Sequence, residues 1–327
     1  MKRMKVGVVG VGHMGEYHVR TYAELSDIEL VGIVDIDEKR VKRISEQYNT
    51  IGYLDYHQLY DKVQAVSIAV PTNLHFQMTK DFLEAGIHVL LEKPMVPTME
   101  EAKALINLAQ DRGLILQIGQ VERFNGAVGE LGAIVKDPIF IEARRLGPFV
   151  KNRINDTGVI LDLVIHDIDI ILGLVHSEIR KIAVTGRSIY TEFEDIVNVQ
   201  LTFENDCIAC ITASRVTENK MRTLSISQPE AYIFLNYTDQ ELHIHRQASS
   251  GVILTRDVLR YKQESFVERI FVHKDNPLKL EILHFLGCIN GQPPLFSVQD
   301  DLKSLDLTLK ILEEYRMTKD RRQGYHG

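Results

Sequence analysis

Apolar residues in the first third of the chain come in short, mainly apolar runs separated by stretches of helical composition. Val6-Gly7-Val8-Val9, Ile28 to Val34, Ala65 to Val70, Ile87 to Leu91 and Leu114 to Ile118 are rich in Val, Ile and Leu and show no polar alternation. Runs of that length predict strands buried on both faces. Between them, the segments from Gly15 to about Leu25, Glu38 to Tyr48, Asn73 to Ala85 and Thr98 to Arg112 predict helices, with Gly86 placed to stop the third. Alternation of this kind specifies a parallel sheet with helices on both faces.

Beyond about Gln120 the pattern changes. One apolar helix is predicted over 158–174. Strand-like stretches then follow at Lys181–Gly186, Ile196–Phe203, Cys207–Ser214, Thr223–Ser227, Ala231–Asn236 and Glu241–His245, without helices between them. Such spacing predicts an antiparallel sheet. A closing helix carries Val298, Leu302, Leu305, Leu309 and Leu312 at three- and four-residue steps. The expected fold is therefore α/β in two domains, 1–120 with a parallel sheet and 121–327 with an open, mainly antiparallel sheet.

Composition narrows the functional classes. The 327 residues are 45% hydrophobic and 25% charged, with a net charge of −7, which is ordinary for a folded soluble chain. The acidic balance argues against a nucleic-acid polymer as partner. The longest apolar stretch, Val159 to Leu174, is broken by Asp162, His166, Asp167 and Asp169, so no membrane span is expected. Three cysteines point to a reducing, cytoplasmic compartment. Cys207 and Cys210 form C-x-x-C, but strand residues three apart face opposite ways, and no metal site is expected there or at His243 and His245.

Chemistry enters first at Gly10-Val11-Gly12-His13-Met14-Gly15. This G-x-G-x-x-G follows a predicted strand and opens a predicted helix, the context in which it binds a dinucleotide. Gly10 permits the tight turn, Gly12 admits the pyrophosphate to the backbone, and Gly15 lets helix and strand pack closely. The helix N-terminus offers N–H groups and partial positive charge to the anion. Asp35, 20 residues after Gly15, closes the second strand where a carboxylate bonds the adenosine ribose. A carboxylate repels a 2′-phosphate, and no Arg stands directly beside it, so NAD is expected rather than NADP.

Two further groups follow. Glu92-Lys93-Pro94 lies just beyond the strand ending at Leu91, at the carboxyl edge where ligands bind in open α/β sheets. In the apolar helix, Asp162, His166 and Asp169 are spaced i, i+4, i+7 and share one face. Buried among Ile, Leu and Val they require partners, with Asp169 the better candidate for a structural role.

These three motifs, in this order and spacing, resemble the glucose-fructose oxidoreductase/inositol dehydrogenase/rhizopine-catabolism (Gfo/Idh/MocA) family of NAD(P)-dependent sugar dehydrogenases. The resemblance implies a Rossmann domain followed by an α/β domain whose open sheet often forms a subunit interface, hence a homodimer or homotetramer. It implies a cis peptide before Pro94 and an active site of Lys93, Asp162 and His166. Pro71, Asn73, His75, Glu92 and Lys93 would lie on the nicotinamide side. Val121-Glu122-Arg123-Phe124-Asn125, Arg144-Arg145-Leu146-Gly147-Pro148, Arg153 and Asp156-Thr157-Gly158 are similar to the UDP-N-acetylglucosamine 3-dehydrogenase branch. That branch oxidises the sugar C3 hydroxyl ahead of a pyridoxal-phosphate aminotransferase.

Arg123, Asn125, Arg145 and Arg153, together with Asp162 and His166, are then the expected substrate contacts. Arginine forks suit a diphosphate, although ion pairs with Glu122 and Glu142 would consume some of the same charges. Two other readings stand beside the nucleotide-sugar one. A dehydrogenase of a free polyol or sugar would not need the arginines, and a catalytically silent NAD-sensing protein would not need Lys93, Asp162 and His166.

Overall fold

The computed structural model describes residues 3–150, 156–255 and 258–323. The chain forms two compact units, and neither is a single run of sequence. One comprises Met1–Val121, Lys151–Thr157 and Asn276–Asp306; the other comprises Glu122–Val150, Gly158–Asp275 and Leu307–Gly327.

The first unit holds β1 (Met4–Val9), α1 (His13–Glu24), β2 (Ile28–Val34), α2 (Glu38–Tyr48), β3 (Ile51–Tyr53), β4 (Ala65–Ile68), α3 (Thr72–Glu84), β5 (His88–Glu92), α4 (Met99–Asp111) and β6 (Leu116–Gly119). All pairings are parallel, in the order β3-β2-β1-β4-β5-β6. This is the doubly wound order of a dinucleotide-binding sheet, and its strand order reverses between β1 and β4. The continuous apolar runs are buried as expected: Val6, Val8, Ala65, Val66, Ile68, Val89, Leu90 and Leu91 are fully enclosed. Strand β3 was not anticipated, because three residues carry too little pattern.

A second unanticipated element is α7 (Pro277–Ile289). Although it follows the last strand of the other unit, its Leu278, Ile282, Phe285 and Leu286 pack with Val6, Val8, Tyr22 and Leu90. Asn276 caps it, accepting from the Leu278 N–H at 3.1 Å, and Pro277 opens it. Both are helix-start signals.

The second unit is built on an eight-stranded sheet. It comprises α5 (Gly126–Ile134), β7 (Phe140–Leu146), α6 (Ile165–Leu174), β8 (Ile179–Arg187), β9 (Ile196–Phe203), β10 (Ile208–Ser214), β11 (Met221–Gln228), β12 (Ala231–Asn236), β13 (Glu241–Thr255) and β14 (Val258–Ile270). The order is β14-β13-β12-β11-β7-β10-β9-β8, antiparallel throughout except for β7 beside β10. Strands β7 and β14, helix α5 and the part of β13 beyond His245 are additions to the expected pattern.

One face of this sheet is the core. Ile141 and Ala143 of β7, Leu224 and Ile226 of β11, and Val197, Val199, Leu201 and Phe203 of β9 pack with Val164, Ile168 and Ile171. The final helix α8 (Val298–Gln323) contributes Leu307, Ile311, Leu312 and Tyr315 to that core. Of its expected stripe, Leu305 and Leu312 are buried, whereas Val298, Leu302 and Leu309 are only half-buried. Among the described residues, no helix is long and apolar enough to cross a membrane. Cys207 is buried just before β10, Cys210 is half-buried within it, and all three cysteines are unpaired thiols.

Candidate active site

In the first unit the glycine turn has the geometry a pyrophosphate needs. Gly10 adopts φ +80°, and a Cβ there would lie 2.5 Å from the Ala69 carbonyl oxygen. At Gly15 a Cβ would fall 1.8 Å from the Gly10 carbonyl oxygen, so only glycine lets α1 start this close to β1. A Cβ on Gly12 would meet nothing within 4 Å, which leaves the backbone open to a ligand. Helix α1 begins without a side-chain cap. Its first N–H groups are thus a ready anion seat, and the residues fit a dinucleotide.

Asp35 is 9% exposed at the end of β2. Its carboxylate accepts from the Val11 N–H at 2.9 Å and the Asp37 N–H at 3.0 Å. It also accepts from Arg40 Nη1 at 3.0 Å. The expectation that no Arg stands beside Asp35 is therefore corrected. Arg40 lies five residues on, and the first turn of α2 swings its guanidinium back onto the carboxylate.

Glu92, Lys93 and Pro94 close β5, and the Lys93–Pro94 peptide is cis. Glu92 is buried, with Oε1 on Nε2 of buried His18 at 2.9 Å. Burial pushes the Glu92 carboxyl upward, but His18 and the Lys93 charge outweigh it and hold the carboxyl below its ordinary range. Lys93 itself is half-buried.

His75 is 1% exposed; its Nδ1 faces the Pro94 carbonyl at 2.8 Å and its Nε2 faces the Val70 carbonyl at 2.9 Å. Both ring nitrogens are thus engaged with the loops after β4 and β5. An uncharged imidazole carries one N–H, so the ring donates to one of the two carbonyls and helps tie those loops. Burial lowers its basicity despite the carbonyls. Pro71 and Asn73 sit at the start of α3, where the Thr72 N–H donates to Asp156 Oδ2 at 2.8 Å.

In the second unit the apolar helix is not one continuous α-helix. Ile160–Val164 forms a π-helical turn around Asp162, and α6 begins at Ile165. Such turns recur at functional sites. Glu194 secures the start, accepting the Val159 N–H on its carbonyl and the Ile160 N–H on Oε1, both at 3.0 Å. Asp162 is half-buried and His166 is 8% exposed. The predicted partner role of Asp169 is seen directly, with Arg123 Nε donating to its Oδ2 at 2.6 Å.

The residue that sequence reasoning passed over is Asp167. It occupies the core-facing stripe with Val164, Ile168 and Ile171 and is 1% exposed. A carboxylate there must be neutralised, and Arg145 does so. Arg145 Nε and Nη2 each donate to Asp167 at 3.0 Å, and Nη1 donates to Glu122 at 2.7 Å. The Arg145 guanidinium also lies over the Tyr237 ring, 4.9 Å from its centroid. Burial opposes the charge on Arg145, but Asp167 and Glu122 raise its pKa well above the ordinary value.

Three of the expected substrate contacts therefore have internal partners. Arg145 is 2% exposed and held by two carboxylates, and Arg123 is held by Asp169. Asn125 caps α5, accepting from the Ala127 N–H at 3.1 Å while donating to the Tyr237 carbonyl at 3.0 Å. Glu122 and Glu142 each accept from an arginine, as the ion-pair alternative anticipated, while Asp167 and Asp169 of α6 supply acids it did not name. Arg144 likewise pairs with Glu142 at 2.8 Å. Arg153 lies outside the described residues.

Residues 4–120 match the family described as "Oxidoreductase family, NAD-binding Rossmann fold", and residues 118–234 match the "GFO/IDH/MocA C-terminal domain". The chain is 35% identical over 300 residues to UDP-N-acetylglucosamine 3-dehydrogenase of Acidithiobacillus ferrooxidans, covering 90% of this chain and 92% of that protein. It is 25% identical over 338 residues to scyllo-inositol 2-dehydrogenase (NAD(+)) of Bacillus subtilis, covering 96% and 94%. A solved structure of the Acidithiobacillus enzyme, GnnA, superposes with a TM-score of 0.84 at 31% identity, covering 96% of this chain and 98% of that one.

Proposed function

The chain belongs to the Gfo/Idh/MocA oxidoreductase family, and from that premise we propose that it oxidises the C3 hydroxyl of a UDP-N-acetylhexosamine to a ketone. The observation that carries the substrate is the 35% identity to a UDP-N-acetylglucosamine 3-dehydrogenase across nine-tenths of the chain. NAD, when bound at the Gly10–Gly15 turn, supplies the acceptor for the hydride leaving the sugar carbon. Residues 1–120 are assigned to the cofactor and 121–327 to substrate binding and self-association.

The chain's own residues manage the proton and the charge. His166 accepts the hydroxyl proton as the C–H bond breaks, in the role of general base. Asp162, on the π-helical turn four residues earlier, orients the imidazole or the sugar. Lys93 stabilises the developing alkoxide with its positive charge and stands as the alternative proton acceptor. The products are a ketone, reduced cofactor and one proton.

NAD is favoured over NADP because Asp35 occupies the ribose end; Arg40 offsets part of its charge and moderates the preference. A cytoplasmic homo-oligomer whose ketone product passes to an aminotransferase completes the reading. The inositol dehydrogenase among the relatives supports a second reading, oxidation of a free polyol. NADH formation across a panel of nucleotide sugars and polyols, with an aminotransferase and glutamate to draw off product, separates the two. Turnover of polyols alone overturns the nucleotide-sugar reading. Lys93→Met and His166→Asn should each lower kcat by about 10²–10⁴-fold with NAD binding retained, and full activity in both would refute the site.

A further inference from the structure

The core face of the second unit's sheet runs out into cations. On β7 the residues facing that core are Ile141, Ala143 and Arg145; on β11 they are Ile226, Leu224 and Arg222. Arg222 is the direct cross-strand partner of Arg145, so their side chains leave the sheet on the same face. The two guanidinium groups have different surroundings. Arg145 is enclosed and donates three hydrogen bonds to Asp167 and Glu122. Arg222 comes within ion-pair distance of Glu122, Nη1 to Oε1 at 4.0 Å, and that oxygen already accepts from Arg145 at 2.7 Å.

Among the described residues the Arg222 guanidinium donates no hydrogen bond, and its side chain is 37% exposed. Burial and the neighbouring Arg145 both lower its pKa, while Glu122, Asp167 and Asp162 attract it. A partly exposed guanidinium meets water when no ligand is present, and an anion that replaces that water gains a charge-assisted pair. Asp162 belongs to the helix that carries His166, so the accessible side of Arg222 lies within electrostatic reach of the proposed chemistry. A planar fork of donors with no acceptor matches a phosphate oxygen pair.

We infer that Arg222 receives a phosphate group of the substrate and holds the sugar against the Asp162–His166 helix. It takes the role that Arg145, closed off by two carboxylates, cannot take. The inference rests on the nucleotide-sugar reading above, and its test separates the two.

The measurement is steady-state kinetics of the full-length protein, wild type and Arg222→Gln, with UDP-N-acetylglucosamine. Inorganic pyrophosphate is then titrated into the NAD-saturated proteins, so that the glycine turn is already filled. Loss of one charge-assisted contact predicts a KM for the nucleotide sugar raised by about tenfold or more, with KM for NAD within about twofold. Pyrophosphate binding should weaken in parallel. Arg222→Lys, which keeps the charge and loses the fork, should fall between, and it stands in should the Gln variant not fold. An unchanged KM for the nucleotide sugar, or equal pyrophosphate binding by wild type and variant, overturns the role of Arg222. If wild type oxidises polyols but no nucleotide sugar, the proposed function fails. Pyrophosphate binding that depends on Arg222 would then still uphold the phosphate seat.

Discussion

The glycine turn of the first unit and the arginine–carboxylate cluster of the second both manage negative charge, by opposite means. At Gly10–Gly15 the donors are backbone N–H groups at an uncapped helix start, and the critical side chains are hydrogen atoms. In the second unit the donors are the guanidinium groups of Arg145 on β7 and Arg123 on the turn at Val121–Phe124, which reach Asp167 and Asp169 of α6. A backbone device is specified within six residues. A side-chain device exists only once strands distant in sequence are paired. The first should fail through geometry, the second through uncompensated charge.

The largest effect expected from this contrast is at Gly15. Gly15→Val drives a side chain into the Gly10 carbonyl, so NAD binding, followed by intrinsic fluorescence, should be abolished. Retained binding would mean that close packing of α1 on β1 is not required. Next is Arg145→Met, which strips two buried carboxylates of their partner and should cost about 3–5 kcal/mol in denaturant unfolding. Adding Asp167→Leu to it should recover part of that loss. A cost under about 1 kcal/mol would show that the cluster adds little beyond packing.

Acid provides a smaller and graded test. Burial raises the Glu122 carboxyl, but the charge and hydrogen bond of Arg145 hold it below the ordinary carboxylate value. A lowered folded-state value means the stabilisation is present above the unfolded-state pKa of about 4.3 and is lost as pH falls through the folded value. Melting temperature should therefore drop as pH falls below about 4.3. Glu122→Gln should be less stable at neutral pH and show a shallower acid dependence.

The smallest effect concerns Arg40. Freeing Asp35 of its guanidinium partner by Arg40→Ala should raise the NAD over NADP ratio in kcat/KM by about three- to tenfold, the scale of one half-exposed ion pair. An unchanged ratio would show that Arg40 does not bear on cofactor choice.

Much of the first unit could be read along the chain. Its strands are mainly apolar runs, α2 and α4 open on the capping residues Asp37 and Thr98, and its phosphate turn is a contiguous motif. The exceptions have physical causes. Strand β3 is too short to show a period, and α7 joins this core only through tertiary contact, although Asn276-Pro277 marks its start. In the second unit the helix carrying Asp162 and His166 was legible, but its π-helical turn was not, since the change in hydrogen-bond register leaves no trace in composition. Asp167 was legible in principle: a carboxylate on a stripe of Val164, Ile168 and Ile171 demands a buried cation. Which cation answered was not.

The sequence by itself determined the alternation that gives a parallel nucleotide-binding sheet, the glycine turn and the acid at Asp35. Each of these depends on neighbours within one or two turns or one strand. Tertiary structure decided how the arginines are used. The pairing of β7 with β11 and the packing of α6 enclosed Arg145, gave Arg123 to Asp169, and left Arg222 partly exposed. The reason is that burial and ion pairing are properties of three-dimensional neighbours: Arg145 and Arg222 are identical as residues, and they differ in enclosure and in the carboxylates that accept hydrogen bonds from Arg145.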